Sequence, residues 1–227
     1  MNSNKAQMSL FLIIGIVVLF VFMMLFYIVS GLYEANQPAP SSEDIKLITQ
    51  GCMKQAAEKG LKTLGNQGAY IELQRPYART PFSNITYLRY LPSMENIAFD
   101  LENYINARLV TCIENYTRSS RVKIKDPNTE VRFTANNVLV LVDDFITIKT
   151  NNTEENIGIL RSDAIRLRFP TIYETITNLE ENRINMDALS VDNLNTTVLT
   201  FGNDTIYVIE DKESFIGSGT YRFMIAT

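Results

Sequence analysis

The chain of 227 residues contains no histidine and no tryptophan, and only two cysteines. Imidazole is the commonest general base and the commonest metal ligand, so its absence excludes Ser-His-Asp and Cys-His nucleophiles and ordinary zinc sites. Two thiols without an imidazole do not make a metal centre. Glycine is sparse, and nowhere does a glycine-rich phosphate loop open a helix, so no cofactor is expected. Carboxylate, lysine, tyrosine and threonine chemistry survives this sieve. It names no reaction.

The most informative absence is local. No charged residue occurs from Ala6 to Tyr33, and the run from Met8 to Leu32 is broken only by Ser9, Gly15, Ser30 and Gly31. At about 1.5 Å per residue a helix of this run extends roughly 37 Å, against about 30 Å for a bilayer's hydrocarbon core, so a modest tilt accommodates it. It is apolar on every side, which argues against an interfacial amphipathic helix. Val29-Ser30-Gly31 resembles a secretory cleavage site, but the apolar region of such signals extends for only about 7 to 15 residues. Both readings export the rest of the chain. Lys5 precedes the span and Glu34, Glu43 and Asp44 come after it, which predicts a cytoplasmic amino terminus and a single pass through the cell membrane. The extracellular remainder would carry all 25 acidic residues and all but one of the 21 basic ones. With no cationic surplus, a nucleic-acid partner is not expected.

Asn4-Lys5-Ala6-Gln7-Met8-Ser9-Leu10-Phe11-Leu12-Ile13-Ile14-Gly15 resembles an archaeal class III signal sequence, the type carried by type IV pilin-like precursors. The resemblance implies processing between Ala6 and Gln7, which removes a short polar leader and leaves the hydrophobic helix on the mature protein. It departs at Phe11, where pilins commonly carry a glutamate that neutralises a neighbouring subunit's terminal amine. The same region, with Gly60 to Ile71 and the paired cysteines, is similar to a group of uncharacterised single-span proteins from small-genome archaea. No activity comes with that likeness.

Four segments are expected: a cytoplasmic leader (1–6), a transmembrane or pilin-type helix (7–33), a Pro-containing linker (34–44) and one extracytoplasmic α+β domain (45–227). Ser42 is placed to cap a helix bearing Ile45, Ile48, Cys52, Ala56, Gly60 and Leu64, stopped by Gly65 and Gly68. Residues 69–92, rich in tyrosine and proline, read as an irregular loop whose rings pack on the flanking helices, a binding surface being the alternative. Ser93 caps a second helix with Ile97, Leu101, Ile105, Leu109, Cys112 and Tyr116 on its apolar face. From Arg121 the period falls to two, predicting strands around Val122, Val131, Val138 and Ile146. Ile165 to Phe169 reads as another strand, followed by a helix from Pro170 to about Met186. Strands at Thr197–Phe201, Thr205–Ile209 and Thr220–Ile225 complete a mainly antiparallel sheet, with a hairpin turn at Gly202-Asn203-Asp204.

Cys52 and Cys112 each fall on the apolar face of a predicted helix, so an exported domain is expected to join them in a disulfide. Two buried free thiols are the alternative. Five Asn-x-Thr triplets lie after the span. Glycosylation is expected at Asn84, Asn151, Asn195 and Asn203, and least at Asn115, which lies inside the second helix. The adjacent acids Asp143-Asp144, Glu154-Glu155 and Glu180-Glu181 diverge in a strand or a helix and make no shared site. The composite expectation is a cell-surface structural or binding protein, a pilin-like subunit being one form of it, with the lipid bilayer as partner. It would associate with itself through the N-terminal helix or with other surface proteins. The alternatives are a monomeric tethered receptor or accessory subunit and, third, an ectoenzyme, although no enzyme activity is expected.

Overall fold

The first helix after the linker is capped one residue earlier than its sequence suggests. The computed structural model describes residues 14–29, 41–73, 76–117, 122–143, 145–149, 153–182 and 193–227, in two compact units divided between Pro40 and Ser41. In the N-terminal unit, residues 14–29 form a helix, α1. Every large apolar side chain on it is exposed, from 47% at Val18 to 80% at Tyr27. Among the described residues no helix is long and apolar enough to cross a membrane; the expected span extends beyond α1 to positions outside the described residues.

The C-terminal unit opens with α2 (Ser42–Gln67). Ser41, rather than Ser42, is the N-cap: its hydroxyl accepts from the Asp44 N–H at 3.1 Å while Asp44 accepts the Ser41 N–H at 3.1 Å. This reciprocal box needs a three-residue spacing to an acid, which Ser41 has with Asp44. Gly68, at φ 71°, ends the helix, whereas Gly65 lies inside it. There a Cβ would stand 2.2 Å from the Arg222 carbonyl oxygen, so glycine is what lets helix and strand backbones approach.

A short hairpin, β1 (Tyr77–Arg79) and β2 (Asn84–Thr86), replaces part of the expected loop and leads through a 3-10 turn, Leu88–Tyr90, to α3 (Met94–Thr117). Ser93 caps α3 as expected, its carbonyl accepting from Ile97 at 3.0 Å. The buried stripe of α3 is Ile97, Leu101, Ile105, Leu109, Ile113 and Thr117. Steps of four keep to one ridge of the helix, so Cys112 sits to one side, facing α2, and Tyr116 is exposed.

Short antiparallel groups come next. β4 (Asn128–Phe133) pairs with β5 (Asn137–Asp143), and β8 (Leu160–Arg161) and β9 (Ile165–Arg166) both add to β5's other side. β3 (Val122–Ile124), β6 (Ile146–Lys149) and β7 (Glu154–Ile157) form a second sheet. The predicted strand to Phe169 stops at Arg166, because Leu167 donates to the Asn136 carbonyl and Phe169 already begins α4 (Phe169–Asn182). The last sheet is β10 (Leu194–Phe201), β11 (Asp204–Ile216) and β12 (Gly219–Ala226) in sequential order, and a parallel bridge joins Tyr87, just past β2, to Ala226 on β12.

One core unites these elements. α2 lies on β12 and α3 on β4, where Glu102 accepts the Val131 N–H at 2.9 Å. Phe169 stacks on Phe133 and meets Tyr221 and Phe223 edge-on. Each fully buried Ile, Leu or Phe contributes about 1.5–3 kcal/mol by leaving water. A smaller cluster of Ala78, Ile85, Ile206 and Ala226 fills the opposite side of the last sheet. The α+β class and the mainly antiparallel pairing agree with the sequence.

Candidate functional site

The expected cross-link is present. Cys52 on α2 and Cys112 on α3 form a disulfide with a Cα–Cα distance of 5.9 Å, and Cys52 is buried beneath it. The helices can approach here because Gly60, one side of the same contact, offers no Cβ to the Leu101 and Tyr104 side chains. Shallow grooves of 370 and 390 Å³ flank the sulfurs, edged by Gln55, Lys59, Arg108 and Tyr116.

The sequons differ in how the fold presents them. Asn203 lies exposed in the two-residue turn between β10 and β11, where Gly202 has φ 63°. Asn195 is exposed on β10, followed by an exposed Thr197. Asn84 is exposed, but its Thr86 is 1% exposed and the hydroxyl is buried without a hydrogen-bond partner. Asn115 repeats that pattern on α3, with Thr117 buried and donating to the Ile113 carbonyl. Ala6, Gln7 and Asn151 lie outside the described residues.

A cleft of 500 Å³ opens beside Asn203, lined by Tyr87, Leu88, Arg89, Asp204 and the end of β12. The parallel bridge at Tyr87 fixes the 3-10 turn against β12, and the hairpin turn supplies the other wall. Tyr87 donates to Asp204 at 2.8 Å; that bond, then burial, raises the phenol above its ordinary range. The Arg89 guanidinium stands 5.0 Å from the Tyr90 ring centre and 5.6 Å from that of Tyr87. A cation held over aromatic faces beside hydroxyl and amide groups can hold a sugar ring or a carboxylate. The Tyr87-Leu88-Arg89-Tyr90 cluster is a readable signal of it; the contribution of Asp204 from 117 residues away is not.

A second cleft, of 550 Å³, is lined by Glu72, Asp100 and Tyr104. Burial, and then the Glu72 charge, raise the Asp100 carboxyl. Glu154 pairs with Lys149 while its neighbour Glu155 accepts from Ser42 at 2.8 Å, so these adjacent acids do serve different surroundings. Asp144 lies outside the described residues, as do the side chains of Glu180 and Glu181. Among the described residues no three Cys, Asp or Glu side chains are grouped to hold a metal ion.

The most buried charges carry no signal in the sequence pattern. Arg168, just before α4, donates from Nη2 and Nε to the two oxygens of Asp211 on β11 and lies 3.3 Å from Glu213. Ser214 also donates to Asp211, and its oxygen accepts the Arg168 N–H at 2.8 Å. Burial pushes the Asp211 carboxyl up, but the bonds from Arg168, Ser214 and the Glu213 N–H outweigh it and hold it below the carboxylate range. Because the Ser214 hydroxyl is consumed in this network, the arrangement ties elements together and offers no activated nucleophile. No protein-family model, no curated protein and no solved structure matches the chain.

Proposed function

We propose that this chain is a membrane-anchored cell-surface protein, with its amino terminus cytoplasmic and the unit from Ser41 to Thr227 outside, acting as a structural or binding subunit. The observation that carries the reading is α1. A helix whose large apolar side chains are all exposed between 47% and 80% has no stable existence in water, because each such side chain forgoes about 1.5–3 kcal/mol of burial. Lipid or sister helices supply the missing environment, and the uncharged run on both sides of α1 gives it the length to span. The Cys52–Cys112 disulfide supports an oxidising compartment for the C-terminal unit.

Membranes from cells producing the full chain with a C-terminal epitope test this directly. The chain stays with the membrane through an alkaline wash, and protease added to intact cells removes the epitope. Recovery in the soluble fraction would end the proposal. In the pilin-like version, mass spectrometry of the mature protein finds Gln7 at the amino terminus; an intact Met1 removes that version and leaves the anchor.

Phe11, in the place of the pilin glutamate, favours a second reading, a tethered receptor or accessory subunit. In it the Tyr87–Arg89 cleft meets the partner. Arg89→Ala then abolishes capture of that partner from solubilised membranes while the chain's own membrane retention is unchanged.

A further inference from the structure

The last sheet ends in a strand whose outer side is left unpaired by every other described residue. β10 pairs with β11 over eight residues, and among the described residues nothing pairs with its other edge. Its sequence, Leu194 to Phe201, has no charge and no proline and carries no bulge in its pairing with β11. Sheet proteins ordinarily blunt such an edge with one of these devices or cover it. Here Val198 and Leu199 are exposed on opposite faces of it.

The register fixes which backbone groups are available. Thr205 and Thr227 exchange both their N–H···O bonds, so the odd residues of β11 face β12 and its even residues face β10. With Asn195 opposite Glu210 and Leu199 opposite Ile206, the odd residues of β10 satisfy β11. The N–H and C=O groups of Leu194, Thr196, Val198 and Thr200 therefore point outward from the sheet.

We propose that this edge is a self-association site, at which a second copy of the chain adds its own β10 antiparallel about a two-fold axis through Thr197. The occupant is dictated by the strand itself. A two-fold axis normal to the sheet must pair residues of equal parity, and the register centred on Thr197 sets Leu194 against Thr200 and Thr196 against Val198. Every outward N–H and C=O then finds a mate over the full strand. Asn195 meets Leu199 and Thr197 meets Thr197, all uncharged, so the negative balance of the chain puts no like charges across the seam. The two sheets become one. A sugar on Asn195 would stand over Leu199 of the second copy, so modification there competes with pairing. Pairing of this kind does not depend on α1 lying in a membrane.

The test uses the full chain in detergent micelles, produced without glycosylation. In the proposed register the two Thr197 residues form a close, non-hydrogen-bonded pair, with Cα atoms about 4.5 Å apart. Thr197→Cys therefore cross-links copies covalently under mild oxidation, while Ser218→Cys, exposed in the β11–β12 turn, does so far more slowly. Thr197→Lys sets two ammonium groups face to face and weakens dimerisation by about tenfold or more, and at dilutions where the unaltered chain is itself monomeric it leaves the melting profile unchanged because Thr197 is exposed. Equal cross-linking by the two cysteine variants, dimers that survive Thr197→Lys, or a strand of another protein found on β10 would each overturn the proposal.

Discussion

Arg168 places Nη2 2.6 Å and Nε 3.1 Å from the two carboxylate oxygens of Asp211, whose side chain is wholly shielded from solvent. The pair sits where β11 slips register between Asp211 and Phe215, and it fastens the approach to α4 onto that irregularity. Removing one partner leaves the other's charge buried and uncompensated. Arg168→Ala is expected to cost about 3–5 kcal/mol in urea denaturation. A loss no larger than that of an exposed Arg132→Ala control would show that water reaches the carboxylate.

Acid should act through the same carboxylate. The folded pKa of Asp211 is depressed, so its contribution is complete above the unfolded value of about 3.9 and disappears as pH falls through the lower folded value. Asp100, raised by burial and by Glu72, works in the opposite sense and relieves a cost on acidification. Stability measured from pH 5 downward should fall less steeply in Asp211→Asn than in the unaltered chain. Parallel curves would assign the acid sensitivity elsewhere.

The disulfide closes a loop with a sequence separation of 60. Cys52→Ser with Cys112→Ser is expected to lower stability by about 4 kcal/mol in the loop-entropy model. Thermal melting with and without reductant checks this, and an unaltered melting temperature would mean that packing of α2 on α3 alone holds the pair.

Two glycines of α2 should respond oppositely to the same change. Gly51→Ala finds nothing within 4 Å and should stabilise by about 0.5–1 kcal/mol through helix propensity. Gly65→Ala drives a methyl into the Arg222 carbonyl and the Tyr221 ring, and should destabilise by about 1–3 kcal/mol. Matching effects at the two sites would disprove the close contact between α2 and β12.

Sequon use should track presentation. Glycopeptide mapping of native protein is expected to find sugar on Asn203, exposed at a turn, and none on Asn115, whose Thr117 hydroxyl is bound within α3. The reverse pattern would mean that modification precedes folding.

What is legible in the sequence is whatever repeats locally. Steps of four from Ile97 to Leu109 announce α3, and alternation at Val138, Val140 and Val142 announces β5, each periodicity belonging to one element. Cys52 and Cys112 can be paired because each stands on a periodic stripe. By contrast, β7 and β8 are short and carry little alternation, and β1 and β2 are three residues each, too short for any period to show. Arg168 and Asp211 lie 43 residues apart, with no local pattern linking them. The open side of β10 is equally hidden, since composition shows that a strand is uncharged but not that it is last in its sheet.

The position of the disulfide along α2 has a mechanical side. Tension applied from the N-terminal side of the chain enters the C-terminal unit at Ser41 and can unravel α2 only as far as Cys52 before a covalent bond takes the load. From there the pull passes to α3, which would have to shear along its whole buried ridge to yield. A chain tugged from that end would thus give way by a few helical turns and then hold fast.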